Sequence, residues 1–95
     1  FISSQLAFRQ ATLSQTDIQL FELHDSSSIM AALSLEACGL APRGESVRLA
    51  ADGLIALDGP APISSMGGLK ARGNPAGATG LYQIAEVAQQ LRGEA

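Results

Sequence analysis

The spacing of apolar side chains in the first 24 residues predicts a helix followed by a strand. Ile2, Leu6 and Leu13 form a rough helical stripe, which stops where residues 14–17 bring turn-forming side chains together. Residues 18–24 then alternate in pattern, with apolar groups on both faces of the segment. Apolar groups on both faces are typical of a strand that is buried in a sheet.

A second helix is predicted over residues 29–40, where apolar side chains return to helical spacing. The three serines at 26–28 are candidates for its N-cap, and Gly39 lies where a glycine commonly ends a helix. Residues 41–59 are punctuated by glycine and proline. We expect a long loop there, with one helical turn near residues 45–51.

The last third of the chain predicts a short strand, a glycine-rich loop and a final helix. The strand covers residues 63–66 and the helix residues 76–92. The apolar positions of this helix share one face: Leu81, Ile84, Ala85, Ala88 and Leu91. A strand–helix–strand order implies a parallel pair with a right-handed crossover, so the sequence predicts an α/β fold. Because two strands do not make a stable sheet, we expect a fragment of a larger fold or a chain that pairs with another.

Composition and charge narrow the class of protein. A chain of 95 residues forms at most one domain. Its net charge of −3 argues against a nucleic-acid partner, because nucleic acids bind to basic protein surfaces. No apolar run approaches the roughly 18–20 residues that cross a membrane, so we expect no membrane association. The single cysteine, Cys38, fits a reducing compartment, and we expect a cytoplasmic protein with a buried, inert thiol.

Charge and metal-ligand spacing suggest little further chemistry. Lys70 and Arg72 are the one pair of basic residues that lie close together in the sequence. They form either a solvated edge of the loop or a counter-charge for an anionic ligand. No Cys, His or carboxylate cluster has metal-ligand spacing, so no metal site is predicted.

Two separated motifs are similar to those of one enzyme family. Residues 22–26, Glu-Leu-His-Asp-Ser, resemble the Glu-Val-His-Asp-Cys-Phe motif of sterol-carrier-protein-type thiolases. Residues 65–75, Ser-Met-Gly-Gly-Leu-Lys-Ala-Arg-Gly-Asn-Pro, resemble the Ser-Gly-Gly-Leu-Lys-Ala-Lys-Gly-His-Pro motif of the same subfamily. Residues 90–95 also match the end of its last helix, so the resemblance covers nearly the whole chain.

The resemblance implies a thiolase-like layered α-β-α fold, of which residues 1–95 are a partial C-terminal domain without its final β-hairpin. Thiolases make or break a carbon–carbon bond next to a coenzyme A thioester, which is a substrate and not a bound cofactor. The family's nucleophilic cysteine lies in its N-terminal half, so we expect this chain alone to be inactive. Family members are commonly oligomers, and the implied partners are acyl-CoA, further copies of the protein or the missing half.

The resemblance also indicates which residues form the site. His24, at the end of the first predicted strand, would donate a hydrogen bond to a thioester oxygen or shuttle a proton; the alternative is a structural histidine. Asn74 replaces the loop histidine of the family, and an amide can hold an oxyanion or a water but cannot act as a base. Ser26 stands where the subfamily has cysteine, and capping the helix is its simpler role. The substrate-binding positions implied are Ser26, Gly67, Gly68, Gly73 and Gly77.

Two functions are compatible with these residues. The first is an acyl-CoA-processing enzyme of the thiolase type, in which His24 and Asn74 polarise carbonyl oxygens. The second is a degenerate, non-catalytic subunit that serves as a scaffold or binds acyl-CoA. The departures from the family motifs at Asn74 and Ser26 favour the second function. His24 and the retained glycines of the loop favour the first.

Overall fold

The computed structural model describes residues 1–95 and consists of five α-helices joined by turns and loops. The helices are α1 (Ile2–Ala11), α2 (Ser28–Ala37), α3 (Ser46–Ala51), α4 (Gly68–Arg72) and α5 (Thr79–Arg92). Single 3₁₀ turns lie at Gln15–Asp17 and Ala76–Ala78. The three predicted helices and the helical turn near 45–51 are confirmed, whereas α4 was not predicted.

The ends of α2 follow the signals in the sequence. The hydroxyl oxygen of Ser27 accepts a hydrogen bond from the backbone N–H of Met30 at 3.3 Å, which caps the first turn. Gly39 adopts a left-handed conformation with φ of +80°, where a residue with a Cβ would be strained. The predicted N-cap region and the glycine at the C-terminal end are both confirmed.

The two predicted strands are reduced to one point of contact. Phe21 and Ile63 form an isolated parallel bridge, in which the N–H of Phe21 donates to the carbonyl of Pro62 at 3.0 Å. The N–H of Ser64 in turn donates to the carbonyl of Phe21 at 2.8 Å. The parallel direction is as predicted, but the strand–helix–strand core is not formed as strands. A two-stranded pair is marginal without neighbours, which explains why the pairing does not extend.

The core is small, and polar side chains join the helices around it. The buried apolar residues are Leu23, Leu35, Ala41, Ala61 and Leu69. The hydroxyl of Ser4 donates to the carbonyl of Ala37 at 2.6 Å, which ties α1 to α2. The carboxylate of Glu36 accepts hydrogen bonds from the Gly44 N–H at 3.0 Å and the Ser46 hydroxyl at 2.9 Å, which ties α2 to α3.

The last helix faces the rest of the chain with its polar side. Leu81, Ile84 and Leu91, predicted as its apolar face, are exposed, whereas Thr79 and Glu86 are buried. The predicted apolar face therefore exists, but it lies on the outside of these 95 residues. The polar residues turn inward because they find hydrogen-bond partners on either side of α4: Ser65 before it for Glu86, and Asn74 after it for Thr79. No other segment of this chain covers the apolar face.

The first helix shows the same exposure. None of its residues is buried, and the apolar stripe predicted from Ile2 and Leu6 faces outward. None of the five helices combines the length and the hydropathy that a span across a membrane requires.

Candidate functional site

A cavity of about 580 Å³ lies between the start of α2 and the loop around α4. Ser26 and its two neighbouring serines line one side, where the chain turns from the extended segment into α2. Gly67, Lys70 and Asn74 line the other side. The cavity thus brings three of the predicted site residues, Ser26, Gly67 and Asn74, to one place.

Beside the cavity, Asp25 closely approaches the start of α4. The carboxylate of Asp25 accepts a hydrogen bond from the N–H of Leu69 at 3.0 Å. A Cβ at position 68 would lie 2.0 Å from this carboxylate, and Gly68 also has a φ of +65°. Only glycine meets both demands, so Gly68 supports the site through the backbone and does not line the cavity.

The side chain of Asn74 is oriented by a residue of α5. The hydroxyl of Thr79, which is buried, donates to the Oδ1 atom of Asn74 at 3.3 Å. Asn74 is exposed and no hydrogen bond engages its amide N–H groups, so they remain available to donate. Donors held ready in this way stabilise an oxygen on which negative charge develops. The arrangement suits oxyanion binding and cannot supply a base.

The loop that carries Asn74 is bounded by strained backbone. Ser64 and Ala76 adopt left-handed conformations, with φ of +46° and +47°. A residue with a Cβ adopts such a conformation at a cost of about 1–2 kcal/mol. Strain of this kind persists where the surrounding structure fixes it and is concentrated at functional sites. Two of the three non-glycine residues with positive φ therefore flank this loop, whereas the third, Thr12 with φ of +56°, is the C-cap of α1.

The other predicted site residues lie outside the cavity wall. The side chain of His24 is exposed, and although its neighbours Asp25 and Ser26 line the cavity, His24 does not. Gly73 has a φ of +95°, which explains its glycine as a turn. Gly77 has neither a positive φ nor a close neighbour, so nothing in the structure explains its glycine.

The comparisons with known proteins settle the family. The sequence profile described as thiolase C-terminal domain-like matches residues 1–95. The chain belongs to the thiolase C-terminal domain-like family. Membership confirms the resemblance of the two motifs and supports the thiolase-like fold.

The relatives of this thiolase-family chain are longer proteins. It is 51% identical over 89 residues to the Acetyl-CoA acetyltransferase of Methanothermobacter thermautotrophicus, covering 94% of the chain and 23% of that protein. It is 41% identical over 93 residues to Sterol carrier protein 2 of Homo sapiens, covering 98% of the chain and 17% of that protein. It is 33% identical over 87 residues to the Benzoylsuccinyl-CoA thiolase subunit BbsB of Thauera aromatica, covering 92% and 23%. The chain thus spans about a fifth of the length of these relatives.

The two basic residues of the loop have different positions in this thiolase-family chain. Lys70 is exposed and lines the cavity, so it remains available as a counter-charge for an anion. Arg72 is turned into the chain, and its Nη1 atom lies 3.6 Å from Oε2 of Glu22. The sequence did not identify this pair. The signal that could have found it is a carboxylate, Glu22, inside an otherwise apolar alternating segment.

Proposed function

We propose that this chain contributes residues that bind the acyl-thioester part of acyl-CoA in a thiolase-type protein. Such a protein makes or breaks a carbon–carbon bond next to the thioester. The observation that carries the proposal is Asn74 on the cavity wall, with its amide oxygen bonded to Thr79 and its N–H groups left to donate. Membership of the family supports the same class of substrate.

Each side chain at the cavity has a distinct part in this proposal. Asn74 donates to the thioester oxygen as negative charge develops there, and His24, on the adjoining segment, is the second donor. Lys70 pairs with a negatively charged group of the substrate. Ser26 and Gly67 contact the substrate along the wall of the cavity. The nucleophile comes from outside these 95 residues, so the chain by itself carries out no turnover.

The same proposal covers the larger assembly. The extended segments that meet at Phe21 and Ile63 would become neighbouring parallel strands once further strands of the layered domain flank them. The exposed apolar faces of α1 and α5 would be covered in the remainder of the protein or in an oligomer. Residues 1–95 would then be one part of a C-terminal domain.

A second candidate function is a non-catalytic subunit that binds acyl-CoA without turning it over. It is favoured by Asn74, which cannot accept and release a proton at neutral pH, where the subfamily motif has histidine. Ser26, a far weaker acid than the cysteine of that motif, favours it as well.

The experiment compares variants of Asn74 in the full-length protein that carries this chain. Binding of acyl-CoA is measured by calorimetry and acyl transfer by release of the coenzyme A thiol. Asn74→Ala should lower kcat by about 10²–10³-fold, because one oxyanion donor is lost, and Asn74→His should raise it by restoring a base. Gln89→Ala, which removes an exposed amide of α5, is the matched control and should change neither quantity.

The outcomes separate the two functions. Turnover that falls in Asn74→Ala supports the enzyme. Binding without turnover, with affinity lowered by Asn74→Ala, supports the non-catalytic subunit. A full-length protein that binds no acyl-CoA contradicts both.

A further inference from the structure

A largely buried ion pair joins the extended segment before His24 to the last residue of α4. The side chain of Glu22 is 2% exposed and that of Arg72 is 16% exposed, and their nearest charged atoms are 3.6 Å apart. By contrast, the ion pair of Glu45 with Arg48 has side chains that are 41% and 64% exposed. The Glu22–Arg72 pair is therefore the one that is shielded from water, where charges interact most strongly.

The position of the pair in the chain connects the two segments that carry the candidate donors. Glu22 lies two residues before His24 on the extended segment. Arg72 is the last residue of α4, and Gly73 and Asn74 follow it directly. A change in the distance between Glu22 and Arg72 therefore displaces one donor segment relative to the other.

Glu22 also holds the beginning of the same loop. Its Oε1 atom accepts a hydrogen bond from the backbone N–H of Ser65 at 3.1 Å. The hydroxyl of Ser65 donates in turn to Oε1 of Glu86 on α5 at 3.2 Å. One carboxylate thus accepts a hydrogen bond from residue 65 through Oε1 and forms an ion pair with residue 72 through Oε2, so both ends of this stretch are linked to the segment of His24.

The pair is poorly suited to stabilise the fold alone. Oε2 of Glu22 and the Nε and Nη2 atoms of Arg72 are buried without a hydrogen-bond partner. Burial raises the pKa of the Glu22 carboxyl, and the nearby Glu86 adds to this, although Arg72 and the Ser65 N–H oppose it. Replacing a buried ion pair by apolar side chains is often neutral or stabilising, so a role in fixing geometry accounts for it better.

We propose that Glu22 and Arg72 are a positioning pair that holds the Asn74 loop at a fixed distance from the His24 segment. The inference rests on the proposed function, because the distance matters only if both side chains serve one substrate. A displacement of about 1 Å in a catalytic group lowers a rate by as much as about 100-fold. The pair would act through Asn74 and His24 and would not touch the substrate.

The test uses three variants of the full-length protein and one control. Glu22→Gln and Arg72→Met remove the charge pairing, whereas Arg72→Lys keeps the charge. Arg48→Met is the matched control, because it breaks the exposed pair with Glu45. Each variant is measured for kcat, for KM of acyl-CoA and for the side-chain amide signals of Asn74 in protein labelled with ¹⁵N-asparagine, assigned by their loss in Asn74→Ser.

The expected result is a split between turnover and binding. Glu22→Gln and Arg72→Met should lower kcat by about 10–100-fold with KM nearly constant, and both should move the Asn74 amide signals. Arg72→Lys should recover most of the rate and of the signal position, and Arg48→Met should match the wild type. A purely structural role would lower the melting temperature and leave the Asn74 signals of the folded protein in place.

The failure of this inference is distinguishable from the failure of the proposed function. If Glu22→Gln folds and the Asn74 signals do not move, the positioning pair is refuted, even where acyl-CoA still binds. If the wild type binds no acyl-CoA, the proposed function fails and the inference fails with it. If Arg72→Met does not fold, Glu22→Gln and Arg72→Lys decide the outcome.

Discussion

Gly68 is the position at which one added methyl group should disturb the site most. Its φ of +65° is strained for any residue with a Cβ. A Cβ built there would also lie 2.0 Å from Oδ2 of Asp25. The Asp25 carboxylate would therefore have to withdraw from α4, where it accepts the N–H of Leu69 at 3.0 Å.

The expected cost of Gly68→Ala combines two effects. A left-handed conformation costs a residue with a Cβ about 1–2 kcal/mol. Loss of a hydrogen bond to a charged group costs about 1.5–3 kcal/mol. The free energy of unfolding should therefore fall by about 2.5–5 kcal/mol, a large share of the roughly 5–15 kcal/mol that stabilises an ordinary domain.

The assay is urea denaturation of the full-length protein, followed by circular dichroism. Gly80→Ala is the matched control, because Gly80 lies in α5 with open space around its Cβ position and no positive φ. This control should raise the free energy of unfolding by about 0.5–1 kcal/mol, since alanine loses less backbone entropy than glycine in a helix. Measuring Gly68→Ala in the Gly80→Ala background keeps enough folded protein for a complete transition.

A double-mutant cycle tests the assigned cause. In an Asp25→Ala background the carboxylate is absent, so Gly68→Ala should cost only the strain of about 1–2 kcal/mol. An equal cost in both backgrounds would show that the contact with Asp25 plays no part. A Gly68→Ala variant as stable as the wild type would refute both causes.

Three further predictions concern Thr79, Glu22 and Cys38. Thr79→Val should lower kcat in the full-length protein, because Asn74 loses the hydroxyl that orients its amide, whereas Thr79→Ser should retain most of the rate; steady-state kinetics checks both. Because burial raises the pKa of Glu22 above the 4.5 of an unfolded glutamate, stability should fall as the pH rises from about 4.5 through the raised pKa. Glu22→Gln should remove that part of the slope in urea titrations at several pH values. Burial also raises the pKa of the Cys38 thiol, so its reaction with an aromatic disulfide at pH 7 should be slower than that of free cysteine.

The helices could be predicted because their signals are local. The N-cap role of Ser27 and the positive φ of Gly39 depend on a few neighbouring residues, and the structure confirms both. The strands could not be predicted to the same degree, because pairing depends on neighbours that are distant in sequence. Residues 18–24 carry the pattern of a buried strand, yet within this chain only Phe21 is bridged.

The orientation of α5 shows a second limit of a periodic pattern. Spacing predicted the helix and the two sides of its surface, but not which side the chain would bury. Glu86 is turned inward by its hydrogen bond with Ser65, while Leu81 and Ile84 face outward. Which side is buried depends on the hydrogen-bond partners available elsewhere in the fold, and a single sequence does not show which residues these are.

For the candidate site, motifs identified the loop and the structure supplied the contacts. Ser26, Gly67 and Asn74 were predicted from two motifs and line one cavity. That His24 and Asn74 serve one substrate stays a prediction, since His24 does not line the cavity. The support provided by Thr79 and by the Glu22–Arg72 pair was missed, because each joins positions whose pairing no local pattern marks.

The polar interior of this chain makes its stability and its geometry dependent on the same residues. Few apolar side chains are buried, and a carboxylate, a guanidinium and a second carboxylate lie among them at Glu22, Arg72 and Glu86. An apolar replacement of the ion pair could leave the protein as stable as before and still release the Asn74 loop. Stability measurements alone would then call such a variant neutral. Only a measurement at Asn74 itself distinguishes a residue that stabilises the fold from one that positions the groups of the site.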